Sequence, residues 1–201
     1  TPRGSSANYP TLTIEDFKNL KVKEISADDA ILALWVPSSL LQDGLDIMKA
    51  WGFRQTQTHI WVKIKKNPLK DLANFLAKKL VSKKGLAEIL NEFNWDSILS
   101  IGMGRIFRQS HEICLIGVRG KVYNKLMNKS QRSVHFAPNL GHSTKPEILQ
   151  DRLELMFPEL TTRLEMFARR QKDGWVCIGN QAPSTYNQDI RDSIEDLIKL
   201  V

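Results

Sequence analysis

The residue types best suited to chemistry gather late in the chain, in Arg163 to Gln181, RLEMFARRQKDGWVCIGNQ. Leu164, Met166 and Ala168 alternate with Arg163, Glu165 and Phe167, a period of two that predicts a strand. Arg169 and Arg170 follow, then a turn at Asp173-Gly174, a second short strand over Trp175 to Ile178, and Gly179-Asn180-Gln181. Two strands that end in loops bearing a guanidinium and two amides can hold a polar small molecule, because open α/β sheets bind ligands beyond the carboxyl ends of their strands. A hairpin with a polar rim fits the same pattern equally well.

Other candidates lie apart in sequence. Lys145 stands just before Pro146, where a helix is predicted to start. Free amide donors and the positive dipole end there suit an anionic or electron-rich ligand, and Lys145 adds a charge; a plain surface lysine is the competing reading. His111 and Glu112 enter an apolar run, as a polar strand cap or as site residues. Tyr9, followed by Pro10, lies in a polar segment and could stack on a planar ring. Four dispersed histidines and no cysteine pair at ligand spacing argue against a metal site. Cys114 and Cys177 sit in apolar runs and read as buried free thiols in a reducing compartment.

The elements that must position these residues follow from the pattern. The 201 residues suffice for one domain with a sizeable core, and 42% hydrophobic with 25% charged residues fits a soluble globular chain. No apolar run approaches the roughly 20 residues of a membrane helix, and TPRGSSANYP lacks a signal core, so nothing indicates export. Thr13-x-x-Asp16 predicts a capped helix. Ala30 to Val36 reads as a strand buried on both faces. Ser39 is expected to cap a helix ending near Gly52, and Thr58 to Ile64 alternates as a second strand, giving a βαβ unit. Glu112 to Val118 and Ser133 to Pro138 are further strands, and Asn187 is expected to cap a last helix. The alternation implies an α/β sheet in three layers, as a single domain over residues 1–201.

Residues 66–101 read as an inserted basic helical hairpin. Between Lys63 and Lys84 lie eight lysines, among them Lys78, Lys79, Lys83 and Lys84, against a single acid, Asp71, which accounts for the net charge of +7. Such a segment favours a polyanion through counterion release, or is simply a solvated helix face.

Ten pieces in register carry a resemblance: Tyr9-Pro-Thr-Leu12, Leu34-Trp-Val36, Ala50-Trp-Gly-Phe53, Trp61-Val-Lys63, Gly102-x-Gly104 with Arg108, His111-Glu112, Gly117-Val-Arg-Gly120, His142-Ser-Thr-Lys-Pro-Glu147, Leu164-Glu-Met-Phe-Ala-Arg169, and Gly174-Trp175 with Gly179-Asn180. Together the chain resembles the MT-A adenine methyltransferases, the family of the seventy-kilodalton subunit that methylates adenine in messenger RNA, which also includes bacterial and phage DNA enzymes. The resemblance implies a Rossmann-like methyltransferase fold with a mostly parallel central sheet, permuted motif order and S-adenosylmethionine as methyl donor. It assigns Phe167, Arg169, Asn180, Gln181 and Lys145 to the cofactor, and Tyr9, Pro10, His111, Glu112 and His142 to the substrate side. The charge of the insert, and not the resemblance, offers Lys78, Lys79, Lys83 and Lys84 as a nucleic-acid contact, with a cover for the sheet or a sister-subunit contact as the other readings. The expected partner is nucleic acid, DNA before RNA, with a homodimer or heterodimer possible and no membrane or metal. The expected location is cytoplasmic for a bacterial or phage protein, nuclear for a eukaryotic one. The family's Asp-Pro-Pro-Trp signature does not occur in the chain. It is expected upstream of Thr1, so no catalytic residue is assigned within the chain; the alternative is a catalytically inactive, nucleic-acid-binding partner subunit of the same fold.

Overall fold

The computed structural model describes residues 12–79, 84–139 and 144–200. Its centre is a four-stranded sheet of β1 (Ala30–Val36), β2 (Arg54–Ile64), β3 (His111–Arg119) and β4 (Val134–Pro138), in the order β1-β3-β2-β4. β3 runs antiparallel to both β1 and β2, and only β2 and β4 are parallel. The sheet is therefore mixed, not mostly parallel. The reason lies in the insert. After β2, the chain stays at that strand's carboxyl end: Ser100 N donates to Lys63 O at 2.8 Å, and Lys63 N donates to Ser110 O at 2.7 Å. With no crossover to the opposite end, β3 has to start where β2 stops and run back.

Helix α1 (Ile14–Asn19) starts as its sequence predicts, with Thr13 and Asp16 forming a reciprocal capping box. Helix α2 (Leu41–Ala50) does not. Ser39 falls in a 3-10 turn, Ser38–Leu40, and no side chain caps the helix. Helix α6 (Ile190–Ile198) is capped by Asp189, whose side chain accepts from Arg191 N; Asn187 instead adopts φ 63° and turns the chain ahead of the cap. The insert contributes α3 (Pro68–Lys79) and the short α4 (Leu86–Asn91).

Period-two alternation divides the sheet into two unlike faces. One face carries Leu32, Leu34, Val36, Ile113 and Leu115, which pack with Ile47 and Met48 of α2, Leu20, and Ile190 and Ile194 of α6. The other carries Ile31 and Val118 against Val122 and Phe157, which follows α5 (Ile148–Met156). Towards the carboxyl ends of β1 and β2 this second face turns aromatic and polar, with Trp35, His59, Trp61, Glu112 and His135. β1 is an edge strand. Its residues are half-buried except Val36, so it is less enclosed than its unbroken apolar sequence implies.

β5 (Leu164–Met166) and β6 (Val176–Ile178) form a separate parallel pair. Leu164, Met166 and Ile178 belong to the same core cluster as Leu32, Leu34 and Val36 of β1, so side chains join the two sheets although, among the described residues, no ladder does. Parallel pairing excludes the hairpin reading and sets both carboxyl ends on one rim.

Candidate active site

The site is built around Glu112, the second residue of β3. One carboxylate oxygen lies 2.7 Å from Lys63 Nζ, and the other accepts from Lys145 Nζ. Each ammonium also lies over an indole, Lys63 at 5.0 Å from the Trp61 ring centre and Lys145 at 5.8 Å from that of Trp35. The two indoles meet edge to face at 6.4 Å. The result is an aromatic floor under two cations held by one carboxylate, an arrangement in which cation–π attraction adds to the charge pairing. Burial pushes the Glu112 carboxyl up, but the hydrogen bonds and charges of Lys145 and Lys63 outweigh it and hold the group below the usual carboxylate range. Glu112 is therefore an anion at neutral pH, positioning Lys145 rather than accepting a proton.

Glu112→Gln keeps the shape and removes the charge, leaving two ammonium groups that are only 18% and 28% exposed without their counterion. The expected cost is about 1–2 kcal/mol, discounted for the solvent that still reaches the group. Urea denaturation measures it; an unmoved midpoint would show that the triad contributes nothing net to stability.

The second half of the site is the β5–β6 rim. Phe167 leaves β5 with φ 58°, 43% exposed, its ring 5.4 Å from that of Phe17 on α1. Ala168 N donates to Ile178 O at 3.0 Å, which sets Phe167 beside Gly179. Gly179 has φ 145°, and a Cβ there would fall 2.8 Å from Phe167 Cα. Asn180 and Gln181 follow, exposed, and among the described residues their side-chain amides make no hydrogen bond.

Arg170 joins the halves. Its guanidinium donates to Lys145 O at 3.0 Å and its Nε lies 2.8 Å from Glu147 Oε1. Lys172 is held by Asp151 at 2.7 Å, with Glu147 and Glu154 further off, and the Trp175 indole donates to Glu154 Oε1 at 2.6 Å. The acids of the α5 segment thus fasten the β5–β6 loop beside the Lys145 loop.

Of the residues expected from sequence, Glu112 and Lys145 meet directly, and Phe167, Asn180 and Gln181 share the rim with Arg169. His111 does not join Glu112. As its neighbour on a strand it belongs to the opposite face. Tyr9, Pro10, Lys83 and His142 lie outside the described residues. The basic run is less free than its sequence implies: Lys79 and Lys84 both bind Glu92, Lys65 binds Asp71, and Lys63 binds Glu112. With Lys84 also 3.7 Å from Glu88, all of these pairs except Lys65–Asp71 use acids outside the lysine-rich window, which a charge count over that window cannot include. Trp35, Lys63 and Arg170 are site residues that pattern reading assigned to a core run, a charge run and a loop. For Lys63 the signal was present, since it shares a strand face with Trp61.

The sequence matches the MT-A70 family over residues 1–86 and 90–181, most of the chain. The chain belongs to the MT-A70 family. Relatives in Mycoplasma sp and Oryza sativa subsp. japonica show its range. The type II methyltransferase M.MunI is 26% identical over 180 residues, covering 89% of this chain and 62% of that protein. The rice probable N(6)-adenosine-methyltransferase MT-A70-like protein is 28% identical over 177 residues, covering 86% and 20%. The non-catalytic subunit MTB of Arabidopsis thaliana is 28% identical over 120 residues, covering 59% and 12%. The chain thus spans about three-fifths of M.MunI and a fifth of the rice protein. MT-A70 membership makes the chain a member of an adenine N6-methyltransferase family, on an α/β fold with a mixed sheet. Among the described residues no helix is long and apolar enough to cross a membrane, and no cluster of three His, Cys, Asp or Glu residues could hold a metal.

Proposed function

We propose that this chain forms the body of an S-adenosylmethionine-dependent methyltransferase acting on the exocyclic amine of adenine in nucleic acid. The observation that carries the reading is the Arg170 clamp, which fixes the β5–β6 rim next to Lys145 and Glu112. The rim suits the cofactor. Asn180 and Gln181 offer amide donors and acceptors, unengaged among the described residues, for ribose hydroxyls and an adenine edge, and Phe167 offers an exposed ring. When bound, S-adenosylmethionine supplies an electrophilic methyl group on a sulfonium. Phe167, Arg169, Asn180 and Gln181 bind and orient it, while Lys145, held by Glu112, keeps a positive charge at the junction where cofactor and base meet. Fixed polar groups of this kind accelerate transfer by holding the reactants in line, without solvent reorganisation.

DNA stands ahead of RNA because M.MunI, the relative sharing more of its length, is a type II methyltransferase, whereas the rice protein is named for adenosine methylation. A second reading, a non-catalytic subunit that binds nucleic acid in partnership with an active one, is favoured by the lack of Asp-Pro-Pro-Trp in these 201 residues and by the kinship with MTB.

Calorimetric titration with S-adenosylmethionine separates the two, because wild-type protein is expected to bind with measurable heat. Asn180→Ala is expected to weaken binding about tenfold, the loss of one or two hydrogen bonds. An unchanged dissociation constant removes Asn180 from the site, and no heat with wild-type protein leaves the subunit reading. Transfer of labelled methyl groups to duplex DNA or to RNA, by the protein as its gene encodes it, decides the substrate.

A further inference from the structure

Between the insert and β3 the chain makes a small β-hairpin closed by the bridge of Gly102 to Gln109, with Gly102 N donating to Gln109 O at 2.8 Å. Its tip reads Met-Gly-Arg-Ile-Phe-Arg. Both glycines are explained by crowding. A Cβ on Gly104 would fall 1.9 Å from Phe107 O, so the tip can fold this tightly only without one. The side chains around it are turned out to solvent: Met103 is 94% exposed, Ile106 90% and Phe107 85%. Large apolar groups so fully exposed at one tip mark a contact surface.

The charges nearby say what it contacts. Arg105 and Arg108 are exposed and, among the described residues, pair with nothing. From Leu99 to Ser110 there is no acid. The chain leading into the hairpin is tied to the end of β2, where Lys65 N donates to Ile98 O at 2.9 Å, while the Lys65 ammonium is already paired with Asp71. A ligand matching apolar side chains between unpaired cations is itself anionic and aromatic by turns, which describes nucleic acid better than a protein surface. The hairpin also stands at the site. The Gln109 amide donates to His111 O at 3.0 Å and to Ser38 Oγ at 3.2 Å, and Glu112 follows one residue on.

We propose that this hairpin is a duplex-nucleic-acid wedge. Phe107, with Met103 and Ile106, presses on the base stack beside the target adenine, and Arg105 and Arg108 hold the flanking phosphates. Apolar wedges of this sort unstack a base step, and a base must leave the stack before an enzyme can act on it. The proposal rests on the methyltransferase reading for its target but not for its chemistry.

The test is binding of the full chain to a duplex carrying 2-aminopurine, followed by anisotropy across a salt series and by the fluorescence of the probe. Phe107→Ala is expected to weaken binding roughly tenfold, abolish the rise in 2-aminopurine fluorescence and leave the salt slope alone. Arg105→Gln with Arg108→Gln is expected to lower the slope by about 2. Both variants change exposed groups, so S-adenosylmethionine binding should stay at the wild-type value, and a wild-type protein that binds the duplex but not the cofactor would sink the methyltransferase reading and spare the wedge. Wild-type affinity, slope and fluorescence in all variants would overturn the wedge. So would a wild-type oligomer, seen by light scattering, that Phe107→Ala dissolves while DNA binding is untouched, because the hairpin would then be a protein-docking surface.

Discussion

Gly179→Ala is expected to cost S-adenosylmethionine binding by about a hundredfold or more. Two effects act together. At φ 145° an L side chain is strained wherever it stands, and the added Cβ would meet Phe167 Cα at 2.8 Å, against backbone that cannot rotate away. Relieving the clash means pulling β6 from β5 at the rim, which displaces Phe167 and Asn180 together. Strain of about 1–3 kcal/mol for the backbone alone, with the contact added, corresponds to that loss when it falls on the binding-competent state. Neither residue belongs to the four-stranded sheet, so the melting transition should persist at a lower temperature. Calorimetry beside a thermal melt is the check; wild-type affinity in Gly179→Ala would mean that the cofactor does not use this rim.

The other large effect concerns acid. His59 and His135 are 5% and 3% exposed, with Nε2 of one 2.7 Å from Nδ1 of the other, beneath the indoles of the site. Burial comes first in pushing both rings down to about 4; the charge of the partner ring, for His59, and of Arg152, for both, adds to it. His135 Nε2 is buried and, among the described residues, has no partner, so a proton gained there would find no acceptor among them. The unfolded chain takes up these protons near 6.5, before the folded one does. Stability from the neutral pair is therefore complete above pH 6.5 and drains away as pH falls towards 4, by up to about 3 kcal/mol per ring. The paired carboxyls of Glu92 and Asp189, held at about 2, add losses only in more acidic solution. Urea midpoints between pH 7.5 and 4.5 should fall steeply for wild type and much less for His59→Phe with His135→Leu, which removes both rings and strands neither. Parallel profiles would show the pair to be solvated.

Local signals in the sequence were reliable where the cause was local. The Thr13–Asp16 box caps α1, Ala30 to Val36 is β1 residue for residue, and Phe-Ala-Arg and Gly-Asn-Gln do stand at strand ends. The failures were of long range. Nothing in Glu112 to Val118 tells a strand which way to run; that was set by where the insert returns the chain. Continuous apolar composition did not distinguish a central strand from the edge strand that β1 is. Glu112 could be nominated from its place at a strand entry, but its two lysines come from positions 63 and 145, and only tertiary structure brings them together. Asp189 rather than Asn187 caps α6 because the chain makes one further turn, through a left-handed residue, before the helix begins.

The edge position of β1 has a practical side. On one flank β1 is hydrogen-bonded to β3 through seven register pairs; on the other, among the described residues, no backbone group of Ala30 to Val36 finds a partner. An apolar strand at the edge of the described sheet is a template for an extended peptide. Concentrated solutions should therefore favour lateral association over clean refolding, and a short peptide of alternating β-branched residues, added during renaturation, should raise the yield of dispersed protein.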